Sequence, residues 1–474
     1  MNLENKILQI TKPEILLDEL SIVDMESPEN QQVTTIKPSK VLGSFFPYIV
    51  INAFEFAIND VIFFELINSE FIPSIRVRVR DNTGMFMGRH FPKDGDVLSF
   101  WIRANNENTF KPIRIDFDIL NIDPDRTSNQ DRASTFNIFG QMKVPGLLAE
   151  NNFAYRNLSS WDTLLNMSEK LGLGFASNES DTDDKMTWIN PTGINSTFIK
   201  HVIDNSYKDN NSFFHGFIDP YYVFNFININ SLFSVDAEVE ESEVYVTNTA
   251  DLGITDDENK SIIPSPMILT NHEQYQGTTK FLVSYKMFNT SGRVFLTNGY
   301  SRYVQYFDTE TFESLVGLID PQTTTRSEKY VHLKGRMIWK NDEFVSGGIK
   351  DIQVKQRYMG KRGKNMHTVF PYSNMLNYQN MQEIFKMGMY VELESADMTL
   401  YRYQNIPVYI FEYDVAVKKF LEDTSVQEEE IPEMSMNKFL SGNYLIAGID
   451  YFWDYPGPIR QRLTLIRREF LGTK

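Results

Sequence analysis

Six histidines, at positions 90, 201, 215, 272, 332 and 367, and no cysteine make up the stock of ordinary metal and nucleophile chemistry beyond the carboxylates. A zinc peptidase needs two histidines one helical turn apart, with a glutamate beside the first, so that both rings meet one ion. His272-Glu273 is followed by no histidine at that spacing. A serine raised on a strand-to-helix elbow needs a glycine two residues to either side, and no GxSxG occurs. Without thiols, disulfides, zinc ribbons and cysteine nucleophiles are all excluded. The scattered histidines therefore read as structural or surface residues, with no catalytic, cofactor-binding or metal-ligating set assigned.

Three weaker features remain. The loop Asn178-Glu179-Ser180-Asp181-Thr182-Asp183-Asp184 has enough carboxylates for calcium. It lacks the turn glycine and the distant bidentate glutamate of an EF-hand, so a solvated acidic loop is expected. Gly172-Leu173-Gly174 follows a helical pattern, where a dinucleotide-binding turn follows a strand, so helix capping accounts for these glycines. Basic residues gather at Arg76, Arg78 and Arg80, at Lys361, Arg362 and Lys364, and at Arg460, Arg462, Arg467 and Arg468. They suit either a solvated strand face or contacts to acidic neighbours across an interface. A glycosidase needs only two facing carboxylates, and 63 acidic residues leave that open by count, though no stretch looks like a lysozyme domain.

The elements that would position these residues are clearest from Asn157 to Ile229. Ser159 or Ser160 can N-cap a helix with Trp161, Leu164, Leu165 and Leu171 on one face, and Gly172 can end it. A second stripe carries Phe198, Val202 and Ile203, and Tyr221 to Ile229 has the composition of a buried strand. Upstream, Ile75 to Arg80 alternates strictly, with Ile and Val on one face and Arg on the other. Asp81-Asn82-Thr83-Gly84 and Phe91 to Asp96 read as turns between short strands. Downstream, strands are expected at 280–288, 292–296, 301–307, 330–339, 348–357 and 390–393, with one helix at Met375 to Met387. Gly442 to Ile449 and Arg460 to Phe470 form a closing hairpin.

At 474 residues the chain is too long for one ordinary core. Its 14% aromatic content, with 36 Phe and 23 Tyr, suits sheets and protein contacts. The balance of 46 basic against 63 acidic residues gives a net charge of −17, which disfavours non-specific nucleic-acid binding. The first twenty residues hold no uninterrupted apolar run, so no signal peptide is expected there. No window reaches the ~20 apolar residues of a membrane span. Synthesis and folding in the cytoplasm are expected. The domain plan is an N-terminal arm at 1–40, partly helical around Ile15 to Ile22, and a first β-barrel from 41–135 and 213–236. An α/β insertion fills 136–212, an acidic connector 237–266, and a second β-barrel with insertions 267–474. The fold class is mainly β with an α/β insertion: two antiparallel β units of barrel or sandwich type plus a helical insertion domain.

Particular words in this region carry a family resemblance. They are Trp161-Asp162-Thr163-Leu164-Leu165, Leu171-Gly172-Leu173-Gly174-Phe175, Met186-Thr187-Trp188-Ile189-Asn190-Pro191, IDNSYKD from Ile203 to Asp209, and FFHGFIDPYY from Phe213 to Tyr222. The stretch resembles the central baseplate hub protein of contractile-tailed bacteriophages, related to the hub part of type VI secretion spike proteins. The resemblance implies a non-enzymatic virion protein without cofactors, assembled in the host bacterial cytoplasm. It implies a homotrimer in which two tube-like antiparallel β-barrels per chain give six around a channel for DNA. Such a ring joins the six-fold tail tube above to the three-fold central spike below, among surrounding baseplate wedge proteins. No needle is fused here, so the spike is expected to be a separate chain. The net charge leads to the expectation of an acidic channel wall. The alternatives are a baseplate-associated peptidoglycan hydrolase and a host-receptor-binding tail protein.

Overall fold

The computed structural model describes residues 7–15, 45–104, 113–125, 133–190, 193–233, 267–269, 279–290, 293–294, 302–319, 330–331, 356–393, 396–398, 400–412, 435–437, 440–467 and 470–471. Strand β1 (Leu8–Thr11) precedes a first β unit made of β2 (Phe45–Ile51), β3 (Phe54–Glu55), β4 (Val61–Ile67), β5 (Ser74–Asp81), β6 (Val97–Ala104), β7 (Ile113–Asp125) and β8 (Ser134–Met142). The alternation in β5 sets its two faces: Ile75, Val77 and Val79 are buried, while Arg76, Arg78 and Arg80 are exposed. The turn after β5 is held by Asp81, whose carboxylate accepts from the backbone N–H groups of Gly84 (2.8 Å) and Met87 (3.0 Å). The strand order is β4-β5-β8-β7-β6-β2-β3, antiparallel throughout. Phe64, Phe100, Phe117 and Phe136 fill its core.

The insertion comprises β9 (Ala154–Leu158), α1 (Ser160–Lys170), β10 (Gly174–Ser177), β11 (Met186–Ile189), α2 (Asn195–Asn205), β12 (Phe214–Ile218), β13 (Val223–Asn228) and the short α3 (Ile229–Leu232). The capping of α1 agrees with its sequence. Ser159 Oγ accepts from the Asp162 N–H, and Gly172 at φ +70° ends the helix with Leu173 N–H bonded back to Ser168 O at 2.9 Å.

The expected boundaries need three corrections. Strand β8 belongs to the first β unit, not to an insertion starting at 136, because Phe136 and Ile138 pair in register with Val79 and Val77. Of residues 213–236, the described ones, 213–233, do not return to the first unit. Strands β12 and β13 instead join a separate four-stranded sheet, β1-β10-β13-β12, in which β10 and β13 run parallel. The physical reason is burial: every residue of β13 is buried, and such a strand needs cover on both faces. The arm at 1–40 contributes β1, which pairs antiparallel with β10 as an edge strand of that sheet. The helix expected around Ile15 to Ile22 and the connector at 237–266 lie outside the described residues, apart from Ile15.

The second β unit contains β14 (Met267–Leu269), β15 (Thr279–Asn289), β16 (Arg302–Asp308), β17 (Glu313–Ile319), β18 (Tyr330–Val331), β19 (Gln356–Arg362), α4 (Phe370–Ile384), β20 (Met387–Leu393), β21 (Asn405–Tyr409), β22 (Phe411–Glu412), β23 (Ser435–Met436), β24 (Gly442–Asp454), β25 (Arg460–Ile466) and β26 (Phe470–Leu471). Six of these strands pair in a hydrogen-bonded ring, β14-β15-β20-β25-β24-β21 and back to β14. In the first unit no pair closes the row from β4 to β3 among the described residues. Strands β17-β16-β19 form a separate sheet against α4. The helix begins five residues before the expected Met375, at Phe370 with Pro371 in its first turn, where a proline's missing N–H does no harm. The strand expected at 292–296 falls outside the described residues except for 293–294, which are helical.

Candidate functional site

Strand β24 is 13 residues long, and its two ends serve different neighbours. Gly442 to Leu445 pair with β21, completing the ring. Asp450 to Asp454 pair with Ile67 to Phe63 of β4, so both β units lie in one 13-stranded sheet. A bulge between Ile446 and Gly448 separates these ends. At Gly448 an added Cβ would sit 2.8 Å from the Ser69 Cβ, so the close approach of the two units requires a glycine there. The Asp450 carboxylate clamps the same corner, accepting from Asn68 N–H at 3.0 Å and Ser69 N–H at 3.1 Å.

Arg402 closes the junction. It is 8% exposed, and its guanidinium donates to Ala447 O at 3.0 Å in β24 and to Asn68 O at 3.0 Å and Glu70 O at 2.9 Å after β4. It also lies 3.9 Å from the ring centre of Phe217 on β12. One planar fork thus ties together the first unit, the second unit and the insertion. A cavity of about 270 Å³ beside it is lined by Asn68, Tyr221, Arg402 and Tyr451, among others.

The insertion touches both units. Towards the first, Ile218 N–H donates to Phe71 O at 2.8 Å, and Tyr222 Oη accepts from Asp116 N–H at 3.1 Å. Towards the second, Phe213, Phe217, Ile227, Ile229 and Leu232 share a core with Ile384, Tyr403, Leu445 and Ile466. Helix α4 adds a row of amides along one face. Asn377 Nδ2 donates to Asp204 O (2.9 Å) and Ser206 O (2.8 Å), and Asn380 Nδ2 to Asn210 O (3.1 Å) and Ser212 O (2.9 Å). These carbonyls lie at and beyond the end of α2, where the last carbonyls of a helix have no N–H donors within it to accept from.

The basic clusters separate. Arg76 faces Glu65 at 3.4 Å, Arg78 faces Asp125 at 3.6 Å, and Glu65 also meets Arg462 at 3.8 Å. Arg460 reaches Glu392 at 2.9 Å and Asp454 at 3.0 Å. Arg76, Arg78, Arg460 and Arg462 therefore share one face of the joined sheet, interleaved with carboxylates across the β4–β24 seam. Arg362 is held elsewhere by Asp308 at 2.6 Å, and Arg467 is buried against Ser441 O at 2.8 Å. Lys361 and Lys364 are exposed, and Arg468 lies outside the described residues.

The acidic loop is only partly solvated. Asp184 is fully buried and accepts from Ser160 N–H, Thr182 Oγ1 and Tyr207 N–H, each at 2.8 Å, so it binds the start of α1 to the end of α2. Burial pushes its carboxyl pKa up, and those hydrogen bonds pull it back. Glu179 pairs with Lys208 and accepts from Asn228 Nδ2. Asp181 and Asp183 are exposed, and among the described residues no three His, Asp or Glu side chains gather around one point. Of the histidines, His90 meets Asn52 O at 3.1 Å, while His367 is buried and His215 half-buried between the insertion and the second unit. His272 and His332 lie outside the described residues. Sequence reasoning missed Arg402, whose neighbours Leu400 to Gln404 carry no motif. It also missed Asn377 and Asn380, whose three-residue spacing on a helical stretch was a readable signal.

No protein-family model and no curated protein matches this chain. Among solved structures it is similar to phage tail proteins and type VI secretion components. The tail protein from Neisseria meningitidis MC58 aligns with TM-score 0.45 at 5% identity, covering 90% of this chain and 97% of that one. The prophage MuSo2 43 kDa tail protein from Shewanella oneidensis aligns with TM-score 0.45 at 8% identity, covering 89% and 98%. The Escherichia coli c3393 protein, a type VI secretion component described as structurally similar to T4 tail proteins gp27 and gp5, aligns with TM-score 0.40 at 9% identity, covering 90% and 79%.

Proposed function

We propose that this chain is the structural hub of a contractile phage tail baseplate. Three copies form a ring that joins the six-fold tail tube to the three-fold central spike, with wedge proteins around it and a channel for DNA through it. The observation that carries this reading is the β4–β24 seam. It fuses two β units edge to edge inside one chain, and a buried arginine and an interposed domain hold their relative position. Three copies of a doubled unit present a nearly six-fold surface on one side and a three-fold surface on the other. The resemblance of the stretch around Trp161 and Phe213 to Tyr222 supports the same reading, since those residues build the block that holds the two units. The work of such a protein is positional, and the role needs no catalytic group.

Sedimentation velocity of the full chain, alone and with its tail-tube and spike partners, tests this. The expected particle has three times the 55.2 kDa chain mass. Localisation of the chain in purified particles by electron microscopy is the second arm. Density at the particle's periphery, away from the central axis, overturns the proposal.

A further inference from the structure

The insertion docks on the second β unit through two separate contacts, one built around a half-buried histidine, His215, and the other around a buried one, His367. At one, His215 of β12 places Nδ1 2.8 Å from Tyr403 Oη, with the two rings edge to face. Arg402, the neighbour of Tyr403, lies over Phe217 beside it. At the other, His367 comes from the second unit, just before α4. It packs on Tyr207 of the insertion with ring centres 6.3 Å apart and planes 19° from parallel, and on Phe370 at 5.6 Å and Trp188 at 6.5 Å. Neither His367 ring nitrogen has a hydrogen-bond partner of full geometry, although the Asn205 backbone faces the ring.

The charges around both rings disfavour a further proton. His215 faces Arg402 and Tyr403 from the 400–404 loop. Asp219, after β12, and Asp450, on β24, act on Arg402. His367 faces Arg362 at the end of β19, which is already held by Asp308 and Glu310. From the insertion, Tyr207 has Asp183 and Asp209 about it, and His201 with Asp204 lies behind Phe370. At each site the charge that acts directly on the ring is thus an arginine.

We propose that His215 and His367 form an acid-labile latch: protonating them undocks the insertion from the second β unit while the β4–β24 seam holds. An imidazolium at either site is a poorly solvated cation with an arginine acting on it, a state relieved by opening to water. The seam carries no histidine and is made by strand pairing, so protonation of these rings leaves it unchanged. Burial holds His215 neutral down to about 3 and His367 down to about 4, against an ordinary value of 6.5. For a base with a lowered folded-state pKa, docking is complete above about pH 6.5 and weakens as pH falls below it. Two pH units below 6.5, each ring alone favours the open state by about a hundredfold. This inference is independent of the hub reading.

Hydrogen exchange of the full chain between about pH 7.5 and 4.5, corrected for intrinsic rates, tests the latch. In the wild type, protection in α2, β12 and α4 is expected to fall at least a hundredfold by pH 4.5, while β4 and β24 keep theirs. The slope of opening against pH should approach two protons per event. His367→Gln is expected to abolish about a hundredfold of that loss, and His90→Gln none of it. The proposal is overturned if the wild-type slope is below half a proton, if the seam opens together with the interface, or if His367→Gln leaves the acid response unchanged.

Discussion

Replacing Arg402 with methionine is the sharpest test of the junction. Methionine keeps most of the stem volume, so the change removes the guanidinium with little cavity. Three carbonyl oxygens then lose their donor, those of Ala447 and Asn68 in buried hydrogen bonds and that of Glu70 in a part-buried one. A buried acceptor left without a partner costs about 1–3 kcal/mol, giving roughly 3–9 kcal/mol for three if none relaxes. Lost stacking on Phe217 adds about 1–2 kcal/mol. Relief of the buried cation's desolvation, several kcal/mol, acts in the opposite direction. The net expectation is a loss of about 3–5 kcal/mol, in line with removing one side of a buried charged network. Urea unfolding followed by tryptophan fluorescence reads it, because Trp161 and Trp188 report on the insertion and Trp101 and Trp453 on the β units. Arg402→Met should also uncouple these regions, so that the insertion unfolds at lower urea than the sheet. A loss under about 1 kcal/mol with a single unchanged transition would refute the view that this side chain joins the three parts.

Two further perturbations follow from the same geometry. Asn377→Ala removes both donors to Asp204 O and Ser206 O, and is expected to destabilise by about 2–3 kcal/mol, with exchange rising in α4 and the end of α2 but not in β5 or β6. Asp184→Ala strips acceptors from the Ser160 and Tyr207 N–H groups and should lower stability by about 2–4 kcal/mol in thermal unfolding. Because both Asp184 oxygens are already engaged, calorimetry with calcium is expected to show no binding heat. A stoichiometric heat that disappears in Asp184→Ala would reverse that assignment.

The local chemistry of the insertion was legible because each signal is short-range. Ser159 caps α1 and Gly172 ends it, and Phe198, Val202 and Ile203 are all buried. The alternation of Ile75 to Arg80 likewise fixed a strand and its two faces. What could not be read was which sheet a strand joins. Val223 to Asn228 has the composition of any buried strand, and its pairing with Gly174 to Ser177 goes with the packing of α1 on both strands. The seam is a contact between residues nearly 400 positions apart, and its decisive donor, Arg402, sits in a loop without periodicity. Long-range pairing of this kind depends on the total buried surface rather than on any local preference.

The position of the negative charge bears on the proposed channel. Residues 237–266 carry eight carboxylates against one lysine, and residues 413–434 carry seven against two. These two stretches account for twelve of the seventeen excess negative charges. The exposed face across the seam is nearly balanced by comparison: Arg76, Arg78, Arg80, Arg460 and Arg462 stand among Glu65, Asp125, Glu392 and Asp454. A uniformly acidic wall, as net charge alone would suggest, is therefore not what this face offers. If it lines the channel, Arg76, Arg78, Arg460 and Arg462 are already satisfied in part by neighbouring carboxylates, and a passing phosphate must compete with that pairing. Counterion release, which drives tight binding to DNA, is then small because few arginines are free to neutralise phosphate. A paired-charge wall of this sort would let a polyanion pass without holding it, and it would do so through local pairing rather than through bulk repulsion.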